Sequence, residues 1–337
     1  MTSFWNDLPQ PFFVLAPMEA VTDVVFRHVV ERAGAPDVFF TEFANATGWV
    51  HAGDRAIAGR LVKTDDEHPL VAQIWGGEPG DMEQFTQHCA RLGFAGIDIN
   101  MGCPAKSAIK SGGAALIRNP DVAVAAIAAA KTAGLPVSVK TRLGYSTVDE
   151  WRAWLTTLLQ QDIVNLTIHL RTKKEMSKVA AHYELIDDIV ALRDAIAPQT
   201  LLTINGDIHD RAHGMALVAA HPGVNGVMIG RGVFADPFCF APSADDVVQG
   251  AQLATPVQSA SSLVQRNFAL LRYHLDLFDH WQPQLGRPYE TLKRFYKIYI
   301  RDFDGAKELR DQLMHTTSTD DARRIIHQWH EAMSASE

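Results

Sequence analysis

A single thiol, Cys103, lies in the stretch Asn100-Met101-Gly102-Cys103-Pro104, where glycine and proline impose a turn. A cysteine there is either an inert core residue or a proton donor, since a thiol with a pKa near about 8.5 is mostly protonated at neutral pH. Cys89 falls in a helical pattern and Cys239 among aromatics, so both read as inert core. Three cysteines without a CxxC spacing argue against a dithiol, a disulfide framework, zinc or an iron–sulfur cluster. Lys140 closes the apolar run Val137-Ser138-Val139-Lys140. A cation there needs an anionic or electron-rich partner, such as the N1–C2=O edge of a reduced flavin, or it snorkels to solvent. Gln73 fits a flavin pyrimidine edge or a satisfied core amide, and His169 fits an orienting group or a backbone-bonded core imidazole. Gly206, Gly230 and Gly232 remove side chains where backbone N–H groups can approach a phosphate, and Arg231 adds a charged fork. Tight turns are the alternative use of those glycines.

Elements that can gather these residues follow from periodicity. Short apolar runs occur at 12–16, 38–40, 70–74, 96–99, 137–140, 165–169, 201–204 and 226–229, as for strands buried on both faces. Amphipathic segments such as 81–92, 121–132, 148–160 and 185–196 separate them at helical spacing. The alternation predicts an α/β (β/α)8 TIM barrel. An open doubly wound sheet would carry a GxGxxG fingerprint after its first strand; here that strand runs into Ala16-Pro17-Met18-Glu19. The barrel's active face is at the strands' C-terminal ends, and the polar residues fall there: Pro17-Met18-Glu19, Thr41-Glu42, Gln73, Asn100 to Pro104, Lys140-Thr141-Arg142, His169-Leu170-Arg171-Thr172, Asn205-Gly206-Asp207 and Gly230-Arg231-Gly232.

After the eighth run the texture changes. Residues 241–256 read as a linker, and 263–278, 289–301, 305–315 and 319–333 as helices, the last with N-cap candidates in Thr317-Ser318-Thr319-Asp320. The expectation is a barrel over 1–243 and a small all-α domain over 244–337. A net charge of −8 counts against a nucleic-acid partner unless cations cluster locally. They do: Arg287, Lys293, Arg294, Lys297 and Arg301 face one acid, Glu290, with Tyr289, Phe295, Tyr296 and Tyr299 interleaved. Helical i, i+4 steps would put Lys293, Lys297 and Arg301 on one face, either an RNA surface or a solvated face over an aromatic core. No apolar run reaches the roughly 20 residues of a membrane span, and residues 1–10 lack a signal pattern, so a reducing cytoplasm is expected.

The motifs Leu15-Ala16-Pro17-Met18-Glu19, Ile97-Asp98-Ile99-Asn100-Met101-Gly102-Cys103-Pro104, Ser111-Gly112-Gly113-Ala114-Ala115-Leu116, Val139-Lys140-Thr141-Arg142-Leu143-Gly144, His169-Leu170-Arg171-Thr172, Asn205-Gly206-Asp207-Ile208 and Met228-Ile229-Gly230-Arg231-Gly232 closely resemble the bacterial tRNA-dihydrouridine synthases, in order along the barrel. Length and tail lean towards subfamily C. The resemblance implies FMN contacts at Pro17, Met18, Glu19, Gln73, Lys140, His169, Asn205, Gly206, Asp207, Gly230 and Arg231. It implies Cys103 as general acid, Asn100 beside flavin and target base, and NADPH as transient reductant. Arg142 and Arg171, with the five basic residues of the tail, become candidates for tRNA, bound by a monomer without metal. The match departs at Ala105 to Lys110, at Leu170 where glycine is usual, and at Lys173-Lys174. Two competing readings are a flavin barrel of the dihydroorotate or dihydropyrimidine dehydrogenase type and a non-catalytic RNA-binding barrel.

Overall fold

Each apolar run expected to be a strand is one in the computed structural model, which describes residues 3–105, 108–110, 112–242 and 263–334. The strands are β1 Phe12–Leu15, β2 Phe39–Phe40, β3 Ala44–Asn45, β4 Leu70–Trp75, β5 Gly96–Asn100, β6 Val137–Arg142, β7 Asn165–His169, β8 Leu201–Asn205 and β9 Gly226–Ile229. They pair in parallel in the order β1-β9-β8-β7-β6-β5-β4-β2. The ring returns to β1 through a parallel bridge between Val14 and Val38, where the Asp37 and Val38 N–H groups donate to the Phe13 carbonyl at 2.8 and 3.2 Å. The two-residue β3, not anticipated from the sequence, pairs with the far half of β4. Helices α1 Val24–Gly34, α2 Ala46–Ala52, α3 Asp54–Ile57, α4 Pro79–Arg91, α5 Pro120–Lys131, α6 Trp151–Leu159, α7 Ile186–Ile196, α8 Arg211–Ala220 and α9 Gly232–Ala235 alternate with the strands. Local chemistry sets several of their starts. Proline opens α4 and α5, where its missing N–H has no helical partner to lose. The Asp210 side chain caps α8 by accepting the His213 N–H at 2.8 Å.

The strand period of two sorts the barrel lining. From β1, Phe12, Val14 and Ala16 join Trp5, Val38, Phe40, Val71 and Met228 in one buried apolar cluster. Phe13, of opposite parity, meets Gly214 of α8 instead. Gly226 is required where it stands, because a Cβ there would sit 2.2 Å from the Phe12 ring. Gly226→Ala therefore should cost about 1–3 kcal/mol from overpacking, read as a lowered thermal midpoint. The lining of β5 to β8 is polar instead: Asp98, Ser138, Asn165, Thr167 and Thr203 are fully buried. Each finds a partner, as a buried polar group must. Ser138 donates to Asp98 at 2.7 Å, Thr203 to Asn165 at 2.8 Å, and Asn165 to Thr167 at 3.1 Å.

The chain divides into two compact units, one of Met1–Val24 and Pro36–Gly232 and one of Val25–Ala35 and Val233–Glu337. The boundary expected at 243/244, and most of the expected linker, lie outside the described residues. The second unit holds most of α1 with α10 Leu263–Leu285, α11 Glu290–Lys293, α12 Tyr296–Tyr299, α13 Ala306–Met314 and α14 Thr319–Ser334. Phe295 stacks on Phe26 at 5.0 Å between ring centroids, and buried His274 bonds the Tyr299 hydroxyl at 2.7 Å. Ser318 caps α14, accepting the Asp321 N–H at 3.1 Å.

The single helix expected over 289–301 is two one-turn helices, α11 and α12. Leu292, Phe295, Tyr296, Ile298, Tyr299 and Ile300 are all buried, too many consecutive positions for one helical face. The backbone tightens into i→i+3 bonds at Phe295 and Ile298, then leaves the helix at Ile300 (ψ 86°), which buries them all. No described helix is long and apolar enough by itself to cross a bilayer.

Candidate active site

Cys103 lies just beyond β5 in a turn whose Gly102 and Cys103 main-chain groups are all hydrogen-bonded. Asn100 Oδ1 accepts the Gly102 and Cys103 N–H groups at 3.1 and 2.9 Å. Arg142 Nε donates to the Gly102 carbonyl at 2.8 Å, and the Ala114 N–H donates to the Cys103 carbonyl at 3.0 Å. A Cβ at Gly102 would press on the Thr141 backbone at 3.2 Å, so the turn lies against β6. The thiol is partly exposed, and burial, aided by Glu19, raises its pKa against a backbone hydrogen bond from Ala105 and the pull of Arg142 and Lys140. It is thus a protonated thiol in a rigid mount. Cys89 and Cys239 are buried, and burial pushes Cys89 up to about 12, as suits inert residues.

Four cations and an imidazole share this mouth. Lys140 donates to Asn205 Oδ1 at 3.3 Å, and the Asn205 amide is fixed by donating to the Met228 carbonyl at 2.8 Å. Burial and then Arg142 pull the ammonium pKa down to about 8, against Asp98 and Cys103. His169 is pulled down to about 2 by burial and by Arg142, Lys140, Arg171 and Arg231, so the ring is neutral. Its Nδ1, 3.5 Å from Arg142 Nη1, is the acceptor there, which leaves Nε2–H as a donor. Arg142 also bonds the Thr172 and Met176 carbonyls at 3.2 and 2.9 Å. Arg171 pairs with Asp207 and donates to the Val179 carbonyl at 2.6 Å, while its Nη1 is buried without a partner among the described residues. Asp207 also accepts from Arg231 at 2.9 Å, so its carboxylate orients two arginines.

Sequence reasoning placed Gln73, Asn100, Cys103, Lys140, Arg142, His169, Asn205, Asp207 and Arg231 at strand ends; hydrogen bonds link them as Gln73–Asn100–Cys103, Arg142–His169, Lys140–Asn205 and Asp207–Arg231. Asn205 ties Lys140 to β8, whereas Asp207 ties Arg231 to Arg171. Arg142 and Arg171, expected to meet tRNA, are buried with most donors engaged by the chain. Pro17 is buried, Met18 partly so, and Glu19 is ion-paired with Arg60. Gly206 has φ +129°, and a Cβ at Gly230 would meet only Ala16. Asp98 was not anticipated. It alternates with Asn100 on the lining face of β5, a period that could have revealed it.

These residues suit a flavin mononucleotide. The unpartnered Arg171 Nη1, the Arg231 guanidinium and the side-chain-free Gly206 and Gly230 fit an anionic group, while Lys140 and the neutral His169 fit a polar ring edge. Among the described residues no group of three or more His, Cys, Asp or Glu can hold a metal ion.

Cations gather on each unit separately. In the helical unit Lys293, Arg294 and Lys297 line a cleft of about 550 Å3 with Lys307 and Arg310, two residues sequence reasoning missed because they come from α13. Lys293 is partly engaged, pairing with Glu290 at 3.2 Å. Arg301, expected on the same face, is displaced by the break at Ile300 and bonds Asp302 and the Ala235 carbonyl. Phe295, Tyr296 and Tyr299 are core, so they offer no stacking surface. On the barrel, Arg118 and Lys173 lie 5.2 and 4.8 Å from the Tyr145 ring centroid, with no ion-pair partner among the described residues.

The family described as "Dihydrouridine synthase (Dus)" matches residues 14–335. The "Probable tRNA-dihydrouridine synthase 2" of Bacillus subtilis (strain 168) is 54% identical over 326 residues, 96% of this chain and 95% of that protein. The "Probable tRNA-dihydrouridine synthase" of Staphylococcus aureus (strain Mu50) is 50% identical over 333 residues, 98% of this chain and 97% of that one. A crystal structure of 2,3-dimethylmalate lyase overlays at a TM-score of 0.47 with 17% identity, covering 84% of this chain and 99% of that one, too remote to bear on function. With a match running from β1 into α14 and the thiol and cations gathered at one mouth, the chain belongs to the dihydrouridine synthase family of flavin-dependent oxidoreductases.

Proposed function

We propose that this enzyme reduces the C5–C6 double bond of uridine in tRNA to 5,6-dihydrouridine, with Cys103 protonating C5. The observation that carries the reading is the Cys103 thiol, kept protonated by burial and fixed in its turn by Asn100 and Arg142 beside Lys140 and His169. When bound, FMN reduced by NADPH supplies the hydride that arrives at C6. Lys140, His169, Arg171, Asn205, Gly206, Gly230 and Arg231 hold that cofactor, with Pro17 and Met18 at the β1 side of the mouth. Lys140 places positive charge where the cofactor becomes anionic. Asn100 keeps one amide hydrogen for a ligand after its bonds within the chain, whereas Gln73, expected to meet the flavin, is fully buried and bonded to Asp98 and Asn100. The uridine leaves its stack to reach the thiol, because the C5–C6 bond is not accessible within one.

Incubating the FMN-loaded enzyme with NADPH and unmodified tRNA should produce dihydrouridine in the tRNA and none from free uracil or orotate. Turnover of either small molecule with no product in tRNA would replace this reading by a small-molecule dehydrogenase. RNA affinity rests on local cations, because the chain as a whole carries −8. Lys297 and Lys307 are exposed in the helical unit's cleft. Changing both to alanine should weaken tRNA binding and lower the slope of log K against log salt by about 1–2, one phosphate contact per lysine. An unchanged slope would remove the cleft from the RNA interface.

A further inference from the structure

The buried Asp98 has no part in the chemistry proposed above, yet it begins a directional chain of hydrogen bonds that ends at the backbone N–H of Cys103. Its Oδ2 accepts from Gln73 Nε2 at 2.7 Å. Gln73 Oε1 accepts from Asn100 Nδ2 at 3.0 Å, and Asn100 Oδ1 accepts from the Gly102 and Cys103 N–H groups. The other carboxylate oxygen is anchored by Ser138 Oγ at 2.7 Å. Three strands supply the chain, and the register sets Gln73 opposite Asp98 and Asp98 opposite Ser138. Asp98, Gln73 and Ser138 are 0% exposed, so water cannot exchange for a missing partner.

An amide can be turned end for end with little change of shape, which exchanges its donor and acceptor. Neither Gln73 nor Asn100 has an intrinsic preference for one orientation. An ionised carboxylate only accepts, so it forces Gln73 to point Nε2 at it and Oε1 at Asn100. Asn100 must then offer Nδ2 to Gln73 and Oδ1 to the turn. Turned the other way, Asn100 would face two N–H donors with its own, and the turn would lose its support. We propose that Asp98 is the positioning residue of the thiol: by fixing both amide orientations it holds the Cys103 turn in its proton-donating geometry. The inference rests on the reading of Cys103 as proton donor, but the arrangement of the turn can be measured without uridine.

The experiment compares Asp98→Asn with Asp98→Leu in the full-length FMN-bound enzyme. An asparagine there keeps an acceptor for Gln73 through Oδ1 and can donate Nδ2 to Ser138 Oγ, whose hydrogen then points to the Ile97 carbonyl, 3.4 Å away. Leucine offers Gln73 nothing. Asp98→Asn should form dihydrouridine from the pre-reduced enzyme within about threefold of the parent rate. Asp98→Leu should lose tenfold or more in that step while its reduction by NADPH changes less than threefold. Alkylation of Cys103 by iodoacetamide, followed by peptide mass spectrometry, should match the parent in Asp98→Asn and differ more than threefold in Asp98→Leu, with buried Cys89 and Cys239 as internal controls. Equal losses in the two variants would mean that charge, not orientation, is what Asp98 contributes. An unaltered Cys103 alkylation rate in Asp98→Leu would also overturn the proposal. If Asp98→Leu does not fold, Asp98→Asn/Ser138→Ala takes its place. The amide then loses its anchor and can turn Nδ2 towards Gln73, so this double variant should fall below Asp98→Asn in both readouts; equality with it would sink the idea. A parent enzyme that makes no dihydrouridine would refute the function, and the alkylation series would still decide the role of Asp98.

Discussion

Cys103→Ala should bind FMN and be reduced by NADPH at close to the parent rate, while dihydrouridine formation falls by roughly 10²–10⁴, the contribution of a positioned general acid. The asymmetry follows from where the thiol stands. Its turn is supported by main-chain and Asn100 hydrogen bonds that do not involve sulfur, so removing the sulfur should leave the flavin-binding residues in place. Other groups at the mouth are poor substitutes. His169 is neutral with a pKa near about 2, and Asp98 is wholly buried. Stopped-flow reduction and dihydrouridine analysis on one preparation separate the two steps. Equal losses in both would make Cys103 a cofactor-binding residue. The protonated thiol is the active form, so the second step should be flat through neutral pH and decline as pH rises through the thiol's burial-raised pKa. Cys103→Ser should not show that decline, because a serine hydroxyl does not ionise in the range.

Lys140→Met should weaken FMN binding and slow reduction by NADPH by about 10²-fold, the magnitude lost with one preorganised electrostatic contact. Methionine keeps much of the length and apolar stem, leaving charge as the main change. Lys140→Arg should not restore the rate, because a planar fork cannot occupy the place of a compact ammonium held by Asn205 at 3.3 Å. The lysine has a pH signature of its own. Its pKa is lowered to about 8 by burial and by Arg142, so the cation is present below that pH and lost above it. FMN affinity, followed by quenching of flavin fluorescence, should therefore fall as pH rises through about 8. In Lys140→Met the lysine-dependent fall should be gone; persistence of the full fall would assign it to another group.

Sequence by itself was enough for the succession of the strands, for the polar residues at their C-terminal ends and for singling out Cys103 as the cysteine that is not buried. Strand periodicity and turn residues act over five or ten positions, and Gly102-Cys103-Pro104 announces its turn wherever it is placed. The helical unit shows where local reading fails. The i, i+4 pattern from Lys293 to Arg301 is genuine, but burying Ile298 and Ile300 overrides it and turns Arg301 away. Lys307 and Arg310 enter the same cleft from another helix. Partnership was decided only by tertiary structure. Asp98 meets Gln73 across 25 residues and Ser138 across 40, and Arg171 meets Asp207 across 36. No local pattern encodes these meetings, because the register of a closed parallel barrel sets them, and burial then makes each polar group depend on the one partner that register provides.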